Sequence, residues 1–513
     1  MVTKTVSIIG INDFHAELFE TGHALGSAKL CTLVERQKLD NPHTIVVFGG
    51  DNFKGDPMSE ELSGEPVAYL MKRLGTKVSA VGNHEFEYGL KALGNWSAQG
   101  AFTFVAANVL DSRTGEIASG FRPYVMVEEA GTKIALLGLS TRERLDRHGY
   151  EQDVRILEIA DGAREARKWV DYLNKGADPL GKPDAIIALT HFGFRYTADH
   201  SGLVGEEVLE LCRQVPELAG VFTAHWHQFI SAEVYGVPVV QGGSHGRGFA
   251  RLAIEFSCDN RVRKVIPDYL DASGTAGEMT PDPVMQGELE EYKRRTARTL
   301  GAVIGRLEQE IVHKSPITAE VDMEGTPLTR LVTDIMREQT GCPIALIYSG
   351  RMGPGLTAGE VTMYELRKLF YFNDEIVTMK LRGEDLIRNI ENGISTLSIE
   401  RASPIAISGL KVAADYDKPF GARIESILLE NGQPLEPDRY YEIAVDEFLD
   451  SNEMGYDFSS GIERRYTGIF LRDRTIQTIR EQGGMSAELP ESILVKNKKE
   501  INFGYVQTEA KFL

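Results

Sequence analysis

The sequence predicts a layered α/β domain followed by a mixed α+β domain. Three observations lead there. Short apolar, β-branched runs alternate with helical patterns through the first half of the chain, and such alternation builds sheets covered by helices. Near residues 267–283 the composition shifts to Gly, Pro, Ser, Thr and Asp, which marks a linker. At 513 residues the chain exceeds what one ordinary core organises, so two or three domains are expected.

Taken in order, the strand-like runs are 6–11, 44–48, 78–81, 102–106, 133–139, 185–189 and 220–223. Each is continuously apolar, as in strands buried on both faces. Helical patterns at 24–37, 66–74, 161–174 and 206–214 lie between several of them. After the linker, the strongly charged segment 284–300 reads as a connecting helix. The expected division is a first domain at 1–270, a linker with connecting helix at 271–300, and a second domain at 301–513. That second domain has an amphipathic helix at 326–340 and strand-like runs at 344–348, 376–381 and 441–445. The polar, Lys-rich tail beyond Gly483 is expected to pack loosely or extend.

Hydrophobic residues make up 42% and charged residues 26%, with a formal net charge of −19. This is a soluble, globular balance. The acidity argues against a nucleic-acid backbone or an anionic membrane as partner. No run of about 18 apolar residues is present to span a bilayer. Cys31, Cys212, Cys258 and Cys342 stand at no metal or redox spacing and are expected as free, mostly buried thiols. The opening apolar stretch is too short for a signal peptide. The expected compartment is therefore the cytoplasm, or the periplasm or cell exterior if a leader has been removed.

The chemistry lies just past the apolar runs. Asp13 and His15 flank Phe14. Residues two apart in extended chain point the same way, so a carboxylate and an imidazole form half a divalent-metal site. Asp51 follows Gly49-Gly50, where missing side chains let the backbone approach an ion, and its two oxygens can bridge two cations. In Gly82-Asn83-His84-Glu85, Asn83 offers a neutral carbonyl ligand. His84, next on a sharp turn, points elsewhere, toward substrate. Glu87 can hold that imidazole in one tautomer. Alone, this segment also reads as a capped helix N-terminus. His191 ends one run, and His225-Trp226-His227 repeats the alternate-residue geometry with two imidazoles.

Each element alone is weak, since Asp-x-His arises often by chance. Jointly they are not, because five of the eleven histidines stand at apolar-run ends. Nitrogen and oxygen ligands without sulfur suit Zn, Mn, Fe, Co or Mg and exclude a thiolate structural zinc site. The expected grouping puts Asp13, His15 and His227 on one divalent metal ion. Asn83, His191 and His225 take the second, with Asp51 between and open positions on each.

The ordered series Asp-x-His, Gly-Asp, Gly-Asn-His-Glu, His and His-x-His resembles the calcineurin-like metallophosphatases, specifically the two-domain 5′-nucleotidase group that includes the UDP-sugar hydrolase and ecto-5′-nucleotidase relatives. The resemblance covers nearly the whole chain. It implies a four-layer αββα sandwich holding two divalent metal ions, then an α+β C-terminal domain that binds substrate. It implies the ligand set above, with His84 and Glu87 as a catalytic pair; Glu stands where Asp is usual, and Ala224 where Gly commonly precedes His-x-His. The segment Leu356-Thr357-Ala358-Gly359-Glu360-Val361-Thr362 is similar to the family's stretch after its Asn-x-Gly-Gly-x-Arg substrate motif. Here that motif reads Tyr348-Ser349-Gly350-Arg351-Met352-Gly353, with Tyr348 at the Asn position and Gly353 at the Arg position. Arg351 is the expected displaced cation. A second family Arg is replaced by Ala319, and the ribose-binding Asp by Met454. Phe372 and Phe448 match the pair that sandwiches the base in relatives.

The resemblance implies hydrolysis of nucleoside 5′-monophosphates or related nucleotides by a hydroxide held on two cations about 3.5–4 Å apart, with inorganic phosphate as product. The altered C-terminal motifs keep two alternatives open. One is a phosphohydrolase for another ester (nucleotide-sugar pyrophosphate, cyclic nucleotide or sugar phosphate). The other is a nucleoside-binding protein without activity.

Overall fold

The computed structural model describes residues 4–22, 24–142, 153–197, 200–313, 325–353, 355–370, 372–395, 405–419, 421–452, 455–484 and 492–497. The chain divides into two compact units, residues 1–296 and 297–513.

In the first unit the apolar runs become strands of two six-stranded mixed sheets. Lys4–Ile11, Thr44–Phe48, Val78–Ala80 and Thr103–Val105 lie side by side and parallel. Gly248–Phe256 and Val262–Asp271 extend that sheet antiparallel beyond Lys4–Ile11. In the second sheet Thr132–Ser140, Ala185–His191, Gly220–Phe222 and Val237–Gly242 run parallel. The hairpin strands Tyr124–Glu129 and Phe229–Val234 close its edges.

The sheets pack face to face. Val6, Ile8, Val47 and Val105 join Ile134, Leu136, Ile187, Leu189 and Phe222 in one buried cluster. The approach is close enough that a Cβ at Gly10 would lie 2.5 Å from the Phe222 ring. The alternate residues Leu137, Leu139 and Ala188 point the other way, onto Ala166, Val170, Val208 and Leu211 of the helices Gly162–Asn174 and Glu206–Gln214. On the far side of the first sheet, Trp96 of helix Gly89–Gly100 stacks on Phe53 at 3.9 Å, and Phe53 meets Phe104 at 6.4 Å. Helix, sheet, sheet, helix is the four-layer order. It explains the uninterrupted apolar runs, because each strand is covered on both faces.

One stretch differs from expectation. The linker composition begins inside a strand: Pro267 stands opposite Leu252 in Val262–Asp271. That strand is a sheet edge, where a residue without N–H is tolerated. The connecting segment forms the helix Pro283–Leu300. Within the first unit, Arg295 pairs with Glu65 at 2.6 Å, and Asp282, just before the helix, pairs with Arg73 at 2.7 Å.

The second unit centres on a five-stranded sheet in the order Ile405–Ser408, Ile344–Tyr348, Tyr440–Asp446, Glu375–Arg382 and Ile462–Phe470. Its strands alternate between two cores. Ile344, Leu346, Val377 and Ile443 enter one, and Ala345, Ile347, Ile376 and Ala444 the other. The helix Pro327–Thr340 starts at a capping box between Thr326 and Thr329 and ends at Gly341, whose φ is 72°. In the tail, Ile493–Lys496 pairs parallel with Leu410–Asp415. Of the cysteines, Cys31, Cys212 and Cys342 are buried and Cys258 is exposed, all free. No helix among the described residues is long and apolar enough to cross a membrane.

Candidate metal centre

The polar residues gather where parallel strands of both sheets end, the usual place for sites in such domains. Asp13 follows Lys4–Ile11, Asp51 follows Thr44–Phe48, and Asn83 and His84 follow Val78–Ala80, all from the first sheet. His191 ends Ala185–His191, and His225 and His227 follow Gly220–Phe222, from the second. Asn12 bridges the two. Its Nδ2 donates to the Thr223 carbonyl at 2.8 Å, and its Oδ1 accepts from Gly242 N at 2.9 Å.

The backbone is turned sharply at these residues. Asp13, His15, Asp51, His225 and His227 all have φ between 45° and 68°, a left-handed region that costs a non-glycine residue roughly 1–2 kcal/mol. Strain gathered at one place is a mark of function. Two glycines make the approach. A Cβ at Gly50 would lie 2.8 Å from His191 Nδ1, and one at Gly82 would collide with the Asp51 carboxylate.

Two donor sets result. Asp13, His15 and His227 form one, and Asp51, His191 and His225 the other, the donor atoms of each lying within 4.8 Å of one another. His15 Nε2 and His227 Nε2 are 3.2 Å apart. Two nitrogens about 2.0–2.1 Å from one tetrahedral ion would be about 3.3 Å apart. Asp13 Oδ1 lies 3.6 Å from His227 Nε2 and 3.9 Å from His191 Nε2, so it adjoins both sets. Asp51 stands with the second set, its Oδ2 3.0 Å from His191 Nε2.

The donors fit cations. His191 donates Nδ1–H to the Gly49 carbonyl at 2.8 Å, which turns Nε2 inward, onto the Asp51 carboxylate at 3.0 Å. Asn83 Oδ1 is buried without a hydrogen-bond partner among the described residues. It would be a costly orphan unless it ligates. Burial pushes the Asp13 carboxyl well above its ordinary range, with Asp51 adding repulsion. His191 is pushed up to about 10 because Asp51 outweighs burial, and Asp51 is held well below its range chiefly by His191 and His84 despite burial. Burial, with the neighbouring imidazoles, keeps His15 and His227 well below theirs, in the neutral form that ligates.

His84 belongs to neither set. Its Nδ1–H donates to Glu87 Oε1 at 2.6 Å, and its Nε2 faces Asp51 Oδ2 at 3.9 Å. The Lys54 ammonium pairs with the other Glu87 oxygen, so the Glu87 carboxylate is held from both sides. Sequence reasoning gave no role to Lys54, nor to the last residue of Gly-Asn-His-Glu. Glu85 is 1% exposed and accepts backbone N–H bonds from Asp51 (2.8 Å), Asn52 (2.6 Å) and Gly82 (2.8 Å). It ties two ligand loops together, and burial followed by Asp51 raises its carboxyl to about 7.

The C-terminal candidates are arranged differently. Phe448 is 3% exposed and stacks on Tyr348 with centroids 4.7 Å apart at 26°. Phe372 lines a cavity with Tyr348, Phe370, Asp374 and Asp446. Tyr348 thus covers one face of Phe448. The cavity encloses about 20 Å³, room for one water. Arg351 ends the short turn Ser349–Arg351; its side chain, like Ala319 and Met454, lies outside the described residues.

Two His/Asp donor sets at the ends of two packed sheets are consistent with the dinuclear site of a metallophosphoesterase. Residues 6–229 match the calcineurin-like phosphoesterase family and residues 303–460 the 5′-nucleotidase C-terminal domain. The chain belongs to the 5′-nucleotidase family. It is 25% identical over 503 residues to Protein UshA of Yersinia enterocolitica, covering 89% of this chain and 86% of that one. It is 26% identical over 447 residues to Endonuclease YhcR of Bacillus subtilis, covering 81% of this chain but only 33% of that protein. A 5′-nucleotidase precursor from Thermus thermophilus superposes with a TM-score of 0.74 over 97% of this chain and 100% of that one, at 23% identity.

Proposed function

We propose that the chain is a metal-dependent phosphomonoester hydrolase acting on nucleoside 5′-monophosphates or related nucleotides and releasing inorganic phosphate. The observation that carries this reading is the placement of His84. Its Nε2 faces the two donor sets while Nδ1 is bonded to Glu87 at 2.6 Å. Two divalent cations, bound by the two sets and Asn83, would supply charge to polarise a phosphate and lower the pKa of a water.

The remaining work falls to side chains. With Nδ1 committed to Glu87, His84 presents only Nε2 to the reacting ester. Protonated there, it donates to the departing oxygen, a role worth typically about 10²–10⁴-fold. Burial lowers the proton affinity of that imidazole and the Asp51 and Glu87 carboxylates work against the loss, while the Lys54 ammonium holds Glu87 in place. Glu85 holds the Asp51 and Gly82 amides, so the loops bearing Asp51 and Asn83 keep their spacing.

A second reading, a phosphohydrolase for another ester, is favoured by Tyr348. It stands at the motif's Asn position, and its ring stacks on Phe448, one of the two aromatics expected to hold a base. One assay separates these readings. Metals are stripped, Mn²⁺ or Zn²⁺ is restored, and a generic aryl phosphate is run beside a nucleotide panel. Preference for nucleoside monophosphates is expected. Turnover of the aryl ester without nucleotide preference would favour the second reading, and no turnover on any ester would leave a binding protein.

A further inference from the structure

We propose that His245 is a positioning residue that sets the geometry of the first donor set, Asp13, His15 and His227. The inference rests on the reading that this set holds a divalent cation. His245 sits in the turn after strand Val237–Gly242 of the second sheet, and it touches all three donors. Its backbone N–H donates to the Asp13 carbonyl at 2.8 Å. Its imidazole stacks on His15 with centroids 4.9 Å apart and planes at 29°. The same ring meets His227 edge-on at 5.4 Å and 82°.

The two imidazoles need this support, because hydrogen bonding holds them less firmly than it holds His191. His191 is fixed by a 2.8 Å bond from Nδ1 to the Gly49 carbonyl. The equivalent bond of His15, to the Lys54 carbonyl, is 3.3 Å. Among the described residues the ring of His227 has no hydrogen-bond contact beyond His15 Nε2 at 3.2 Å. Packing therefore orients both rings, and His245 is the side chain packed against both. It is itself anchored: Nδ1 lies 2.9 Å from Ser244 Oγ, and its backbone is left-handed at φ 53°. A left-handed turn at a bulky residue, packed against two ligands, is a conformation kept for a purpose. Groups that orient ligands from outside the coordination shell are typically worth about 10–100-fold in metal affinity.

The test is site-resolved metal binding to the full chain with Co²⁺, read by calorimetry and by the visible absorption of the bound ion. Wild type is expected to take two ions. H245Q, which loses the stacked ring, is expected to keep one ion at wild-type affinity and to bind the other about 10–100-fold more weakly. H245F, which keeps an aromatic wedge, is expected to bind both nearly as wild type. Equal affinities in all three proteins would overturn the proposal, and so would a loss in H245F equal to that in H245Q. If wild type itself bound no Co²⁺, the metal reading would fall, a result distinct from either. Unchanged circular dichroism and retention of the second ion separate a positioning role from loss of fold.

Discussion

At the scale of single residues the centre is a set of opposed charges and committed hydrogen bonds, and each makes a prediction. H84A should keep its metal content by elemental analysis while losing about 10²–10⁴-fold in kcat. Intact turnover would mean that His84 has another role. E87Q removes the anion beside His84. An imidazole without that partner holds its proton less tightly, so the alkaline fall of a rate that needs protonated His84 should move to lower pH. A pH–rate profile of kcat reads this directly. His191, raised to about 10 by Asp51, carries a proton at neutral pH in the metal-free protein. Metal at Nε2 must displace it, so affinity should climb as pH rises toward that value. Binding enthalpies should vary with the ionisation enthalpy of the buffer, and an enthalpy independent of buffer would contradict this. The six Asp and His residues that gather into the two sets were legible as candidates in the sequence because each stands at the end of an apolar run. The contacts of Glu85, Lys54 and His245 were not, because their partners (backbone amides, the Glu87 carboxylate and the His15 and His227 rings) are brought together only by the fold.

At the scale of elements, the site depends on strand ends and tight loops. Gly50, with φ 91°, faces His191 across a gap that a Cβ would close. G50A should abolish binding to the second set while far-UV circular dichroism stays near wild type. The helix Gly162–Asn174 starts at Asp161, whose side chain accepts from Arg164 N at 2.8 Å. D161A should destabilise the chain by about 0.5–2 kcal/mol in denaturant titrations without touching metal content. The parallel strands and the helices between them were readable, since burial on both faces writes a continuous apolar run. The edge strand through Pro267 was masked by linker-like composition, because an edge tolerates residues that an interior strand refuses. The stacking of Tyr348 on Phe448 was hidden for a different reason. A substitution at a motif position shows which residue changed, but only packing shows what the new ring covers.

At the scale of the whole molecule, the two units have separate cores, and both donor sets lie in the first. Calorimetry of the full chain should therefore show chelation lowering one transition and leaving the other in place. At a free ion concentration a thousand times Kd, the bound state gains about 4 kcal/mol per site. A uniform shift of both transitions would argue against separate cooperative units. The donor sets also draw on both sheets, and this bears on kinetics. Asp13 and His15 enter at one end of the covalent chain and His225 and His227 more than two hundred residues later, so neither sheet alone can present a complete set. A cation that binds only after the sheets have docked cannot help them find each other. It acts as a latch, slowing the opening of the finished sandwich while leaving the speed of its formation almost unchanged.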